Sequence, residues 1–106
     1  MSNQAPRKAY VYVEMDITDP EGFKHYTARS APAVAAFGGR YIVIGKPPEV
    51  IEGDHAPKRV VLVELDSPER AREFYESPAY REPRKHRAMS ARFNMLLLGG
   101  APAPVA

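Results

Sequence analysis

Cysteine is absent from the 106-residue chain. That single absence excludes disulfides, thiolate catalysis, cysteine-based zinc sites and iron–sulfur clusters. Small secreted domains often depend on disulfides, so it also points to the cytoplasm. No apolar run approaches the roughly 20 residues of a membrane span, and Met1-Ser2-Asn3-Gln4-Ala5-Pro6-Arg7-Lys8 has no apolar core of a signal peptide. Net charge is also scarce. Fifteen Lys and Arg against thirteen Asp and Glu leave +2, too weak a balance to imply nucleic acid or an anionic membrane as partner. There is no nucleotide-binding glycine loop, no G-x-S-x-G elbow and no internal repeat. His25, His55 and His86 form no ligand pair at metal spacing, so no metal or cofactor is implied and a solvated histidine is the expectation for each.

What is present is the composition of one globular domain, 44% hydrophobic and 26% charged. Residues 1–7 read as a polar arm, 8–99 as the domain and the Gly/Pro/Ala-rich 100–106 as a frayed tail. Ala9 to Met15, rich in aromatic and β-branched residues, predicts a first strand. Thr18-Asp19-Pro20-Glu21 predicts a helix start capped by Asp19. Phe23, Tyr26, Ser30, Val34 and Phe37 continue it at three- and four-residue steps, with a kink or break expected at Pro32 and a stop at Gly38-Gly39. Arg40 to Gly45 is a second strand, and Glu49 to Glu52 an edge segment that resumes it. Arg59 to Leu65 is the most apolar strand. Asp66-Ser67-Pro68-Glu69 opens a short helix, Ser77-Pro78 breaks it, and further helical turns surround Pro83. Arg92 to Leu98 closes the chain as a strand.

The order β-α-β-β-α-β is that of a ferredoxin-like α+β fold, a four-stranded antiparallel sheet with helices on one face. Alternation leaves the other face with Tyr10, Tyr12, Glu14, Val60, Leu62, Glu64, Leu96 and Leu98, far more apolar than an exposed sheet face should be. Pairing with a second copy would remove that patch from water, so a homodimer is expected.

The runs Ala9-Tyr10-Val11 to Asp19-Pro20-Glu21-Gly22-Phe23, Tyr26, Gly38-Gly39-Arg40-Tyr41, Val50-Ile51-Glu52-Gly53-Asp54, Arg59-Val60-Val61 and Tyr75-Glu76-Ser77-Pro78-Ala79-Tyr80, with Arg87 following, resemble the bacterial domain-of-unknown-function 1330 family over residues 8–99. The resemblance implies a dimeric α/β-barrel, two ferredoxin-like sheets packed face to face. It implies no reaction. Related barrels include quinone-forming monooxygenases, haem-degrading enzymes and lactone isomerases, and carrying any of these over is fold-level analogy.

Two functional readings follow. In the first, a small carboxylate, aromatic or carbonyl compound binds in the sheet–helix cleft, as in a cofactor-free isomerase or monooxygenase. Glu64, Arg87 and His55 would be catalytic, His55 near the mouth, and Tyr12, Glu14, Tyr26, Arg59 and Tyr80 would contact the ligand. Glu14 and Glu64, set among apolar neighbours, would have raised pKa values suited to acid–base work, and Arg87, which matches a family position, would clamp a carboxylate or hold a buried acid. In the second, the same polar groups pair with one another, with Arg59, Arg87 or Arg92 neutralising the acids, in a non-catalytic dimeric module. The charge run Arg81, Arg84, Lys85, His86 and Arg87 lacks interleaved aromatics and reads as a solvated helix face.

Overall fold

The computed structural model describes residues 7–101, so most of the arm and tail expected at 1–7 and 100–106 lies outside the described residues. Gly100 is still tied in, its N–H donating to the Lys8 carbonyl at 2.7 Å. The elements are β1 (Ala9–Ile17), α1 (Pro20–Ala36), β2 (Arg40–Lys46), β3 (Arg59–Leu65), α2 (Pro68–Glu76), α3 (Pro78–Arg87) and β4 (Ala91–Gly99). The strands form one antiparallel sheet in the order β2-β3-β1-β4. This is the ferredoxin-like arrangement, with its second helix divided in two.

Local chemistry accounts for the boundaries. Each helix starts on a proline, where a missing N–H costs nothing. Ser67 caps α2 by accepting from the Arg70 N–H at 3.0 Å. Asp19 stands at the N-cap of α1, but its side chain makes no capping hydrogen bond, contrary to expectation. Ser77 ends α2 and caps α3, its backbone held extended as a residue before proline prefers. Its hydroxyl donates to the Phe74 carbonyl at 2.7 Å and accepts from the Tyr80 N–H at 3.3 Å.

Two sequence expectations are corrected. Pro32 does not divide α1, which is one span of 17 residues. Ala28, whose carbonyl loses the Pro32 partner, lies like Pro32 on the exposed side, where water can serve it. Residues 49–52 form no strand; β2 ends at Lys46, and 47–58 is irregular. The pairing of β2 with β3 already slips twice, between Tyr41 and Val43 and between Val43 and Lys46, so the ladder has lost its register there.

Gly38 and Gly39 turn the chain from α1 into β2. Gly38 has φ 75°, the left-handed conformation that ends helices, and a Cβ on Gly39 would stand 2.7 Å from Val34 Cγ1 and 3.0 Å from the Val34 carbonyl oxygen.

All three helices bury side chains against the same sheet face. Val11, Val13, Met15, Val63 and Leu65 from the strands pack with Tyr26, Ala33 and Val34 of α1, Ala71 and Phe74 of α2 and Tyr80 of α3. Burying one such Leu or Phe side chain contributes about 1.5–3 kcal/mol. On the other face Tyr12 stands between Leu62 and Leu96, Tyr10 between Glu64 and Leu98, and Glu14 between Val60 and Asn94. Leu96 and Leu98 there are 53% and 42% exposed in the single chain.

Candidate functional site

Helix α1 packs along α3, while α2 lies on the sheet. The space left under α1 is a cleft of about 320 Å³, at the lower end of the volumes that hold small molecules. Its floor is the core face of β1 and β3, including Val11, Val13 and Met15, and Phe93 and Met95 of β4 close one side. Most of the wall is apolar. The polar groups on it are few: the hydroxyls of Tyr26, Thr27, Ser30, Tyr41 and Tyr80, and the guanidinium of Arg59.

The two inner tyrosines are tied together. Tyr26 Oη and Tyr80 Oη are 2.6 Å apart, and Arg87 Nη1 donates to Tyr80 Oη at 2.9 Å. The rings of Phe23, Tyr26, Phe74, Tyr80 and Phe93 hold this group in a chain of tilted and edge-on contacts, Phe74 and Tyr80 being 4.4 Å apart. The Arg87 guanidinium rests 4.2 Å over the Phe93 ring. Burial pushes the Tyr80 hydroxyl far above the usual phenol range, and Tyr26 beside it adds to the shift. Tyr41 is raised as well, again chiefly by burial.

These bonds order the protons. The Arg87 N–H can only donate, so Tyr80 Oη accepts from it. Tyr80 is almost fully buried, and Tyr26 Oη is the one acceptor among the described residues for its hydrogen. With Tyr80 donating, Tyr26 accepts and keeps its own O–H for another acceptor, on a residue that lines the cleft. Each donor is polarised by the one behind it, beginning at a cation.

The opposite sheet face carries a second, separate set of polar groups. Glu14 Oε2 meets His55 Nε2 at 2.7 Å and accepts from the Tyr12 hydroxyl at 3.0 Å. Glu64 pairs with Arg40 and accepts from the Tyr10 hydroxyl at 3.0 Å. Both carboxyls lie below the ordinary carboxylate value, Glu14 chiefly through His55 and Glu64 chiefly through Arg40. The expected rise is therefore corrected: hydrogen-bond donors outweigh the apolar neighbours. The partners are corrected too, since Arg40 and His55, rather than Arg59, Arg87 or Arg92, face these acids.

The eight residues singled out from sequence thus form two groups rather than one site. Tyr26, Tyr80 and Arg59 line the cleft, with Arg87 immediately behind Tyr80 and off the cleft wall. Tyr12, Glu14, Glu64 and His55 sit across the sheet and do not reach the cleft. Tyr41 and Ser30 were not singled out and are part of its wall. The helical spacing that marked Tyr26 also marks Ser30, whereas Tyr41 could have been placed only by its pairing with Val63.

In the basic run, Arg81 pairs with Glu76 and Lys85 with Glu82, each at 3.6 Å, and Arg84 lies 3.9 Å over the Tyr75 ring. Among the described residues no group of three or more His, Asp or Glu could hold a metal ion, and no helix is long and apolar enough to cross a membrane.

Comparison with known proteins supports the fold. No curated protein matches the chain. Among solved structures, RPA0582, a protein of unknown function from Rhodopseudomonas palustris, is 20% identical with a TM-score of 0.72, covering 93% of this chain and 86% of its own. SnoaB, a cofactor-independent oxygenase from Streptomyces nogalater, is 14% identical with a TM-score of 0.59, covering 92% and 95%. A dimeric ferredoxin-like protein of unknown function from Thermobifida fusca is 10% identical with a TM-score of 0.52, covering 93% and 96%. At these identities the likeness establishes the ferredoxin-like fold. The model of the domain of unknown function DUF1330 matches residues 8–101, and the chain belongs to that family.

Proposed function

We propose that the chain works in the cytoplasm as a homodimer, joined through the open sheet face. Each copy would bind a small aromatic or carbonyl compound in the cleft under α1. The observation that carries this reading is the ordered Arg87–Tyr80–Tyr26 chain, which leaves the Tyr26 O–H as a donor on the wall of a largely apolar cleft. Such a donor, fixed in advance and fed by a cation, favours a ligand oxygen that carries negative charge.

The choice of chemistry follows from what the cleft wall holds. Among the described residues its lining contains no carboxylate and no histidine to serve as a general base. An isomerase that must remove a carbon-bound proton needs one. A phenol or enol acidic enough to ionise unaided does not, and its anion can itself reduce dioxygen. The reading favoured is cofactor-free oxygenation: a carbon of the substrate anion bonds to dioxygen, then the O–O bond breaks as that carbon loses its hydrogen to solvent, leaving a carbonyl on the substrate and releasing the second oxygen as water. The resemblance to a cofactor-independent oxygenase supports it as analogy of fold. Open-face residues support the homodimer: the apolar patch around Leu62, Leu96 and Leu98 is what a two-fold contact would cover.

The missing base equally favours a second reading, a dimeric module that binds such a ligand without transforming it. Thermal-shift screening against small carboxylates, quinones, phenols, flavins and haem addresses both. A ligand at a hundredfold excess over its Kd stabilises the fold by about 2.7 kcal/mol. The expected result is a shift with phenols or quinones that Tyr26→Phe abolishes without loss of fold. Oxygen uptake with the best ligand then separates the enzyme from the binding module. A flat response across the panel would overturn the small-molecule reading.

A further inference from the structure

The cleft has a polar mouth. At the end where β1 runs into α1, a second hollow of about 440 Å³ is lined by Asp16, Ile17, Pro20, Phe23, Lys58 and Arg59. Ile17, Phe23 and Arg59 line the cleft as well, so the two spaces meet along these three residues. Arg59 is therefore the cation at the junction between an apolar interior and water.

Its charge is uncommitted. Among the described residues Arg59 makes no salt bridge, and its one hydrogen bond is a long one, Nη1 to the Gly45 carbonyl at 3.3 Å. A guanidinium has five N–H donors, so four remain for other acceptors. Asp16 is the one carboxylate on the hollow's lining, and its ion-pair partner is Lys58 rather than Arg59. Lys58 Nζ stands 3.9 Å from it, and Arg92 is its cross-strand partner in β4. Two cations and one acid on the rim leave it positive.

Resting on the cleft reading above, we propose that Arg59 selects the substrate class: an apolar acid whose ring system lies in the cleft and whose carboxylate or sulfonate sits at the mouth on Arg59. Apart from Arg59 the cleft wall carries no cation and only separate hydroxyls, Tyr26 among them, which suit a single ligand oxygen rather than an acid group. The mouth offers a planar fork suited to a two-oxygen acid group. A neutral molecule of the same shape would fill the apolar part and leave the fork unused.

Two fluorescent probes with similar ring systems test this on the full chain: anilinonaphthalene sulfonate, which is anionic, and phenylnaphthylamine, which is neutral. Arg59→Gln is expected to weaken the sulfonate probe about fivefold or more and to leave the neutral one within about twofold. Arg59→Lys should recover part of the loss, and added salt should weaken only the sulfonate. Ala31→Trp, which fills the cleft from α1, is expected to displace both probes. Equal responses of the two probes to Arg59→Gln would overturn the proposal while leaving the cleft as a binding site. Probe binding that survives Ala31→Trp would instead sink the cleft reading and the selection by Arg59 with it. Melting curves of each variant show that the fold is intact.

Discussion

Replacing Tyr80 by phenylalanine removes one oxygen atom and leaves a ring of nearly the same shape. The ring keeps its neighbours, Phe74 at 4.4 Å, Tyr75 at 5.9 Å and Tyr26 at 6.1 Å, so little packing is lost. What goes is the shared hydroxyl: the 2.9 Å bond from Arg87 and the 2.6 Å bond to Tyr26. A neutral hydrogen bond contributes about 0.5–1.5 kcal/mol and one to a charged group about 1.5–3 kcal/mol. Arg87 is only partly buried and can recruit water, so the lower ends apply, and the loss should be about 2 kcal/mol. For a domain of this size that lowers Tm by roughly 8–16 °C. Urea unfolding at neutral pH, at fixed protein concentration, should show a lower midpoint with an unchanged slope. The double-mutant cycle with Arg87→Met should give a coupling of about 1–2 kcal/mol, because either change breaks the same bond. A Tyr80→Phe protein within about 0.5 kcal/mol of the parent would refute the reasoning, since the hydroxyl chain would then contribute nothing to order the cleft.

Four further outcomes are expected. Glu14 and Glu64 have folded pKa values below their unfolded ones, so their stabilisation is whole above about pH 4.3 and is lost as pH falls through the folded values; Glu64→Gln should flatten the acid limb of a Tm–pH profile, and an unchanged limb would count against the Arg40 pair. Tyr80 is shifted the other way, so its contribution is intact below about pH 10 and is lost as pH rises above that; an ultraviolet titration should show one of the six tyrosines ionising only as the protein unfolds. Leu96→Asp places a charge on the open face and should halve the mass seen by analytical ultracentrifugation, with the fold retained; an unchanged mass would argue against joining through that face. Gly39→Ala drives a methyl group into Val34 and should destabilise by about 1–3 kcal/mol in chemical unfolding, whereas a neutral effect would mean that the α1–β2 turn yields easily.

The strands were readable from sequence because alternation and β-branched composition coincide in β1, β3 and β4, and two helix starts because proline follows a capping residue at 19–20 and 67–68; the same pattern at 77–78 was read only as a break, though it also opens α3. Pro32 misled because the rule against internal proline weighs the lost bond without asking whether water can replace it. The site was half readable. Helical spacing placed Tyr26 on the inner face, and Tyr80 and Arg59 were found with it. Tyr12 and Glu64 were assigned both to the partner side and to the cleft, and the alternation that supports the first assignment forbids the second. The charge states were out of reach because the deciding partners are distant: His55 lies 41 residues from Glu14, and Arg40 lies 24 residues from Glu64. Those contacts depend on β-pairing and on the path of residues 47–58, neither of which leaves a local signal.

The sheet gives the chain a simple numerical code. In β1, β3 and β4 alike, odd-numbered positions face the helices and the cleft: 11, 13 and 15, then 61, 63 and 65, then 93, 95 and 97. Even-numbered positions face away, and the cross-strand register keeps the parities matched, Tyr12 with Leu62 and Leu96 and Val13 with Val61 and Met95. Substitution can therefore reshape the cleft through odd positions while the even ones stay under a separate constraint, and the reverse. In β1 and β3 the two faces share a backbone but no side chain; at the β4 edge Leu96 borders the hollow beside α2 as well. The same parity makes them brittle in one respect: inserting or deleting a single residue within β1 would exchange the two faces, sending Tyr10, Tyr12 and Glu14 into the core and the valines out. The shape of the cleft is thus open to point substitution, while the lengths of the three strands are not free to vary.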